Sequence, residues 1–300
     1  PPSFFTMPDL DISLPTLLDI NSLNSHAGAP QGTRAGPNAF KVVINDLSVP
    51  LPTIKYVDDV SIISVSNQPD NPELQNSLYD LHRWCVTSGL CLNIDKTKEL
   101  VIHFGKIFTT SSVPLLTLDG EPISRIDSFK VLGIIVSSDL TWNAHVAYIV
   151  SKACKRLYVV YQLLRSGVAY HDIVTVYCSL IRPVLEYCCP VWHPGLTRAN
   201  HDEIESVQRR VLKLIFPQLS YHDALFVAGL EKLETRRQRL SVKVFNQIKS
   251  DKHILNKLLV RREFNSGVMN FRAQYPYILP RLKTDRAAKS LIWYGTKNKW

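Results

Sequence analysis

Residues 54–63 read IKYVDDVSII, two adjacent aspartates, Asp58 and Asp59, set between runs of β-branched and aromatic residues. The apolar runs on either side predict two strands, and the charged pair between them predicts a tight turn. The stretch 53–66, TIKYVDDVSIISVS, therefore reads as strand, Asp-Asp turn, strand: a hairpin with carboxylates at its tip. Two like charges side by side need a reason. Either the pair caps a turn between strands, or it holds something positive, such as a metal ion.

Upstream, residues 28–52, GAPQGTRAGPNAFKVVINDLSVPLP, open with Gly/Pro turn chemistry. After Pro37, Phe40, Val43, Ile44 and Leu47 fall at helical spacing. Residues 1–27, with Pro1, Pro2, Pro8 and Pro15, show little periodicity and read as an irregular leader. Downstream, PELQNSLYDLHRWCVTSG (72–89) predicts a helix with Leu74, Leu78, Leu81 and Trp84–Cys85 on one face and Gly89 as its stop. LCLNIDKTKELVIHFG (90–105) reads as two short strands around a polar, Lys-bearing turn, and IDSFKVLGIIVS (126–137) as a further strand with Gly133 inside it. Strands and helices mix through residue 140, which argues an α+β or α/β layer.

Beyond residue 140 the pattern is helical. HVAYIVSKACKRLYVVYQLLRSG (145–167) carries an i, i+3/i+4 stripe ending at Gly167. HDIVTVYCSLIRPVLEYC (171–188) is helical with a kink or break expected at Pro183. NHDEIESVQRRVLKLIF (200–216) takes Asn200 or Asp202 as N-cap, and LEKLETRRQRLSVKVFNQIKS (230–250) repeats the pattern. The net charge of +9 divides unevenly: residues 1–140 hold 9 Lys and Arg against 15 Asp and Glu, residues 141–300 hold 26 against 11. An acidic half suits cations and a basic half suits a polyanion, unless the basic helices are merely solvated.

Apolar residues make up 45% of the chain, without any run near the ~18 that a membrane span needs, so no membrane partner is expected. The chain starts with proline and shows no signal-peptide pattern, so it reads as a piece of a longer product. None of the six cysteines forms a C-x-x-C pair or a zinc-knuckle spacing with histidine, which points to a reduced, intracellular protein, nuclear or cytoplasmic.

The ordered set of motifs resembles the reverse transcriptases of non-LTR, LINE-type retrotransposons, the jockey-like group above all. GAPQGTRAGPNAFKVVINDL looks like polymerase motif B, KYVDD like motif C, GLCLNIDKTKELVIHFG like motif D, and SFKVLGIIVSSDLTWNAHV like the primer-grip region that follows. KACKRLYVVYQLLRSGV, IRPVLEYCCPVWH, IESVQRRVLKLIFP and KTDRAAKSLIWY fit the same elements, so the resemblance runs from about residue 28 to 300. It implies an α+β fold: a partial polymerase palm over 28–140 after a divergent leader (1–27), a helical thumb and extension over 141–250, and a basic C-terminal segment over 251–300.

The same resemblance implies two-metal phosphoryl transfer with Mg²⁺ (or Mn²⁺), an RNA template, a DNA primer and deoxynucleotide triphosphates. By it, Asp58 is the direct metal ligand and Asp59 its more peripheral neighbour, with Tyr56 and Val57 beside the primer end. Gly28, Pro30, Gln31, Gly32, Gly36 and Pro37 line the template and incoming nucleotide. Lys96, with Lys98 second, is the cation near the leaving phosphate, unless both are solvated turn lysines. Lys152, Lys155, Arg156, Arg209, Arg210, Lys213, Arg236, Arg237 and Arg239 would contact nucleic-acid phosphates. Trp142, Tyr187 and Trp192 stack on bases or pack in the core, and His193 and His201 read as structural.

One part of the family pattern has no counterpart in this reading. Polymerases of this kind take another metal-binding aspartate from a motif A strand upstream of motif B. Asp9 and Asp11 are the nearby candidates, and both stand too close to Gly28; fingers and an endonuclease domain are missing as well. The expectation is a truncated reverse transcriptase domain that alone extends a primer barely or not at all. The alternative is a non-enzymatic nucleic-acid-binding remnant of a degenerate element.

Overall fold

The computed structural model describes residues 11–22, 36–66, 68, 71–103, 113–261, 276–279 and 287–300. The chain divides into two compact units, Pro1–Leu140 and Thr141–Trp300. The division falls where the charge changes sign.

In the first unit, β1 (Asp11–Ser22) is followed by helix α1 (Gly36–Asn45), then the hairpin β2 (Thr53–Tyr56) and β3 (Asp59–Ser66). Helix α2 (Pro72–Thr87) leads into the long strand β4 (Leu90–Ile102). Short strands β5 (Thr117–Leu118), β6 (Glu121–Pro122) and β7 (Ser124–Arg125) come next, then the hairpin β8 (Ser128–Val131) and β9 (Ile134–Ser137). The main sheet has the order β2-β3-β1-β4-β7. Helices α1 and α2 supply Ile44, Leu74, Leu78, Leu81 and Cys85, and the segment after α1 supplies Leu47, to a core shared with Val60, Ile62 and Leu92 of the strands. The α2 face is the one its spacing predicts. Its N-cap is Asn71, whose side chain accepts from Leu74 N and donates to Ser64 Oγ at 2.5 Å, fastening the helix start to β3.

Three local readings differ from expectation. Residues 11–22 are not irregular: they form β1, paired antiparallel to both β3 and β4. A central strand cannot normally hold a proline, which lacks the N–H for the ladder. Here Ser13 to Thr16 is matched on β3 by Ser64 to Ile62, and Leu14 to Leu17 on β4 by Leu100 to Lys98. Each comparison leaves one extra residue on β1, so Pro15 lies in a β-bulge. Second, residues 90–102 are one strand, not two. The polar stretch is a bulge in β4, because Asp19 pairs with Asn93 while Leu17 pairs with Lys98. Third, 126–137 is broken by a two-residue turn at Leu132 (φ 47°) and Gly133 (φ 89°), both in the left-handed region that a twisted hairpin needs.

The second unit is helical: α3 (Asn143–Arg165), α4 (Tyr170–Val176), α5 (Arg182–Glu186), α6 (Cys189–Trp192), α7 (Arg198–Ile215), α8 (Tyr221–Val227), α9 (Leu233–Ile248) and α10 (Leu291–Lys297). Val146, Ile149, Ala153, Leu157 and Val160 of α3 meet Ile204, Val207 and Val211 of α7 around fully buried Trp192. Pro183 does not break its helix. A π-helical turn, Tyr177–Ile181, joins α4 to α5, with Arg182 N–H reaching back to Tyr177 O. The wider turn takes up the mismatch caused by the proline, which cannot donate to the preceding turn. Helix α7 starts earlier than its acidic residues suggest: Thr197 is the N-cap, in a reciprocal box with Asn200. No described helix is long and apolar enough to cross a membrane.

His145 and His193 are packed in this core, 1% and 5% exposed. Burial lowers the His145 pKa to about 4; burial, with Arg237 and His201 nearby, lowers that of His193 to about 3. The unfolded chain therefore binds more protons than the folded one below pH 6.5, and stability falls as pH drops toward those values. Between pH 7 and 5 each histidine is expected to remove about 2 kcal/mol, measured by urea unfolding of the helical unit. His193→Gln should flatten that dependence, and an equally steep slope in the variant contradicts the assignment.

Candidate active site

The carboxylate hairpin has a different tip from the one its sequence suggests. The turn is Val57–Asp58, and Asp59 is already the first residue of β3, paired with Tyr56. Val57 has φ 54°. A β-branched residue in the left-handed region is a strained choice, of a kind that gathers at functional sites. Asp58 and the Tyr56 ring are exposed.

The neighbouring strand brings a third aspartate to the same row. In the register of the sheet Asp59 lies opposite Asp19 of β1, and Asp19 lies opposite Asn93 of β4. The row thus runs Tyr56, Asp59, Asp19, Asn93 across four strands, with Asp58 beside it in the turn. Directly opposed residues in an antiparallel pair have Cα atoms about 4.5–5.5 Å apart, and like charges in such positions repel. Asp58 and Asp59 are hard-oxygen donors of the kind that Mg²⁺ or Mn²⁺ takes. Among the described residues no group of three His, Cys, Asp or Glu is assembled, and Asp19 is placed by its backbone register opposite Asp59.

Sequence reading missed Asp19 because Pro15 made its strand look irregular. The available signal was the apolar run Leu14, Leu17, Leu18 ending in Asp19 and Ile20. Asp11 lies at the far end of β1, opposite Ser66 and away from the hairpin tip; Asp9 lies outside the described residues.

The β4 bulge carries Lys96. The Asn93 side chain accepts from Lys96 N at 3.1 Å, and Thr97 Oγ1 donates to Asn93 O at 2.7 Å, so Asn93 shapes the bulge from within the carboxylate row. Lys96 is exposed and Lys98 half-buried. Gly36 and Pro37 open helix α1, whereas Gly28, Pro30, Gln31 and Gly32 lie outside the described residues. The far end of α1 is tied to the hairpin by Lys55, whose Nζ donates to the carbonyls of Ile44 (3.0 Å) and Leu47 (2.5 Å). Trp84 Nε1 donates to Asp46 Oδ1 at 3.2 Å, linking α2 to the same end. Nothing in the residue pattern warned of the role of Lys55, because a strand lysine reads as a solvated one.

Residues 14–136 match the family described as reverse transcriptase (RNA-dependent DNA polymerase). They form a reverse transcriptase domain of the non-LTR retrotransposon type. The match begins inside β1. Similar proteins include the probable RNA-directed DNA polymerase from transposon X-element of Drosophila melanogaster, 24% identical over 204 residues, or 64% of this chain. The RNA-directed DNA polymerase from mobile element jockey of the same species is also 24% identical, over 63% of the chain. The probable RNA-directed DNA polymerase from transposon BS is 26% identical over 210 residues. The chain spans 22% of the length of each of these relatives.

In the helical unit that follows the reverse transcriptase domain, the basic residues divide into two groups. Lys152, Lys155, Arg209, Arg210 and Lys213 are exposed. Arg209 lies over the Tyr221 ring at 5.1 Å, and Lys213 Nζ donates to Pro217 O at 2.7 Å. Arg156 is half-buried and donates to Leu180 O, bracing α3 against the π-helical turn. Arg237 is fully buried, Arg236 is paired with Glu186 at 2.5 Å, and Arg239 is paired with Glu231. Arg237 is an internal tie and Arg236 a half-buried one, whereas Arg239 is exposed beside Glu231. Trp192 is buried with Nε1 donating to Tyr187 O at 3.0 Å; Trp142 is wedged where a Cβ on Gly195 would stand 2.5 Å from its Nε1. Both tryptophans pack in the core, and Tyr187 is exposed.

Lys55→Met removes the tether between α1 and the hairpin strand. It is expected to lower local stability by about 1–3 kcal/mol, the range for hydrogen bonds from a charged donor. The readout is amide exchange across Gly36–Asn45, which should accelerate; unchanged protection would contradict the tether.

Proposed function

We propose that this chain contributes the palm and thumb of an RNA-directed DNA polymerase that joins deoxynucleotides to a primer on an RNA template. The observation that carries the reading is the row of Asp59 and Asp19 on adjacent strands, with Asp58 in the turn beside them. Asp58, Asp59 and Asp19 would hold Mg²⁺ or Mn²⁺. Bound there, the cation supplies positive charge where the attacking hydroxyl ionises and the pyrophosphate leaves.

The remaining roles belong to the chain itself. The aspartates place negative charge at one end of a stiff sheet, where paired strands hold their backbones apart and fixed. Tyr56 and Val57 offer an exposed surface to the primer end. Gly28, Pro30, Gln31, Gly32, Gly36 and Pro37 would serve the template and incoming nucleotide, and Lys55 keeps α1 in register with the hairpin. Lys96 stands on the β4 bulge as a cation for the leaving phosphate, able to hold or donate a proton at Nζ. The exposed cations of α3 and α7, Lys152, Lys155, Arg209, Arg210 and Lys213, take template–primer phosphates in a salt-dependent, sequence-independent manner.

In this reading Asp19 is the upstream partner that residue order alone did not offer to Asp58 and Asp59. The second reading, a non-enzymatic nucleic-acid-binding remnant, would keep the same aspartates and bind template–primer without extending it. The test is incorporation on a homopolymer RNA template with an annealed DNA primer and Mg²⁺ or Mn²⁺. Asp58→Ala and Asp19→Ala should each lower incorporation by about 100-fold or more, on the scale of losing a charge-stabilising group from a reaction centre. Asp11→Ala should leave it unchanged. Equal incorporation by the wild type and Asp58→Ala would overturn the reading.

A further inference from the structure

Two tyrosines on the outer side of α3 serve no core. Tyr158 is 67% exposed and Tyr161 53%. Cys154, Tyr158, Tyr161 and Arg165 are spaced by four, three and four residues, so they form a single stripe along the helix. Helix α7 runs beside α3 in the same direction. Asn200 Nδ2 donates to Asn143 Oδ1 at 3.0 Å near the helix starts, and further along Arg210 Nη1 stands 3.7 Å from Cys154 Sγ. Arg210 therefore borders the beginning of the tyrosine stripe, and exposed Lys213 comes about one turn later on α7.

The charge around the stripe has one sign. No Asp or Glu occurs between residues 140 and 171, nor between 206 and 222. Along these two stretches the helices carry flat, amphipathic rings and cations and no acidic residue. That combination suits a polyanion with exposed flat faces better than a protein surface, whose docking sites usually centre on a desolvated apolar patch.

We propose that the α3–α7 seam binds single-stranded nucleic acid, with unpaired bases stacked on Tyr158 and Tyr161 and phosphates against Arg165, Arg210 and Lys213. The proposal rests on the reading of the helical unit as a nucleic-acid binder and adds a preference for strand state. Phosphate contacts serve single and double strands alike. A ring can stack only on a base whose face is free, and bases inside a duplex are covered by their neighbours.

The experiment uses the full chain and fluorescence anisotropy with a labelled oligouridine and a blunt-ended duplex of equal length, across a salt series. Tyr158→Ala and Tyr161→Ala should each weaken oligouridine binding about tenfold while leaving duplex binding and the salt slope nearly unchanged. The phenylalanine variants should bind like the wild type. Arg210→Gln and Lys213→Gln should weaken both ligands and lower the salt slope by about one each. Loss on charge removal with no loss on tyrosine removal overturns the stacking seam and leaves backbone binding standing. Equal loss on both ligands in the alanine variants also overturns it. A wild type that binds neither oligonucleotide overturns both readings. Both rings are exposed, so circular dichroism should show all variants folded.

Discussion

The placement of β1 between β3 and β4 is the constraint on which the first unit depends. Side chains alternate along a strand, so a slip of one residue would send every residue of β1 to the opposite face and move Asp19 out of the row with Asp59. Two irregularities fix the register. The bulge at Pro15 adds one residue to β1 against both neighbours, and the Asn93-centred bulge lets β4 pass Asp19 and rejoin at Lys98. Without the first, a proline would interrupt a central ladder. Without the second, the strand carrying Lys96 would run straight past the carboxylates.

Much of this was legible in residue order. The hairpin, α1, α2 and the stripe of α3 follow from spacing alone, and Asp58–Asp59 announced the site. What could not be read were features that depend on a partner across space. Pro15 signals a break until two flanking strands supply the bulge. Pro183 signals a kink until a π-helical turn absorbs it. Leu132–Gly133 looks like strand interior, because leucine rarely adopts the positive φ that the turn demands. Asp19 was obscured by the same proline that hid its strand.

Charge counting was the least faithful guide in the helical unit. The excess of Lys and Arg suggested contacts to phosphate, yet α9 turns Arg236 and Arg237 inward. Arg237 lies over the Trp192 ring at 5.8 Å, buried near Glu205 and His201, and Arg236 joins α9 to Glu186. A buried charge of this kind contributes to orientation more than to net stability, because desolvation opposes the attraction. Of the exposed cations, Lys152, Lys155, Arg209, Arg210 and Lys213 lie on α3 and α7, the helices that carry and border the tyrosine stripe.

The strained turn at Val57 bears on how the sheet comes apart. β2 is a four-residue strand at the sheet edge, and it carries one end of a turn that holds about 1–3 kcal/mol of conformational strain. Detaching this short edge releases the strain while leaving the buried contacts of β3, α1 and α2 in place. The free energy of that partial opening is therefore smaller than that of unfolding the unit. On warming, this edge is expected to open first, freeing Tyr56 and the Asp58 turn while the β3–β1 pair that sets Asp59 opposite Asp19 persists.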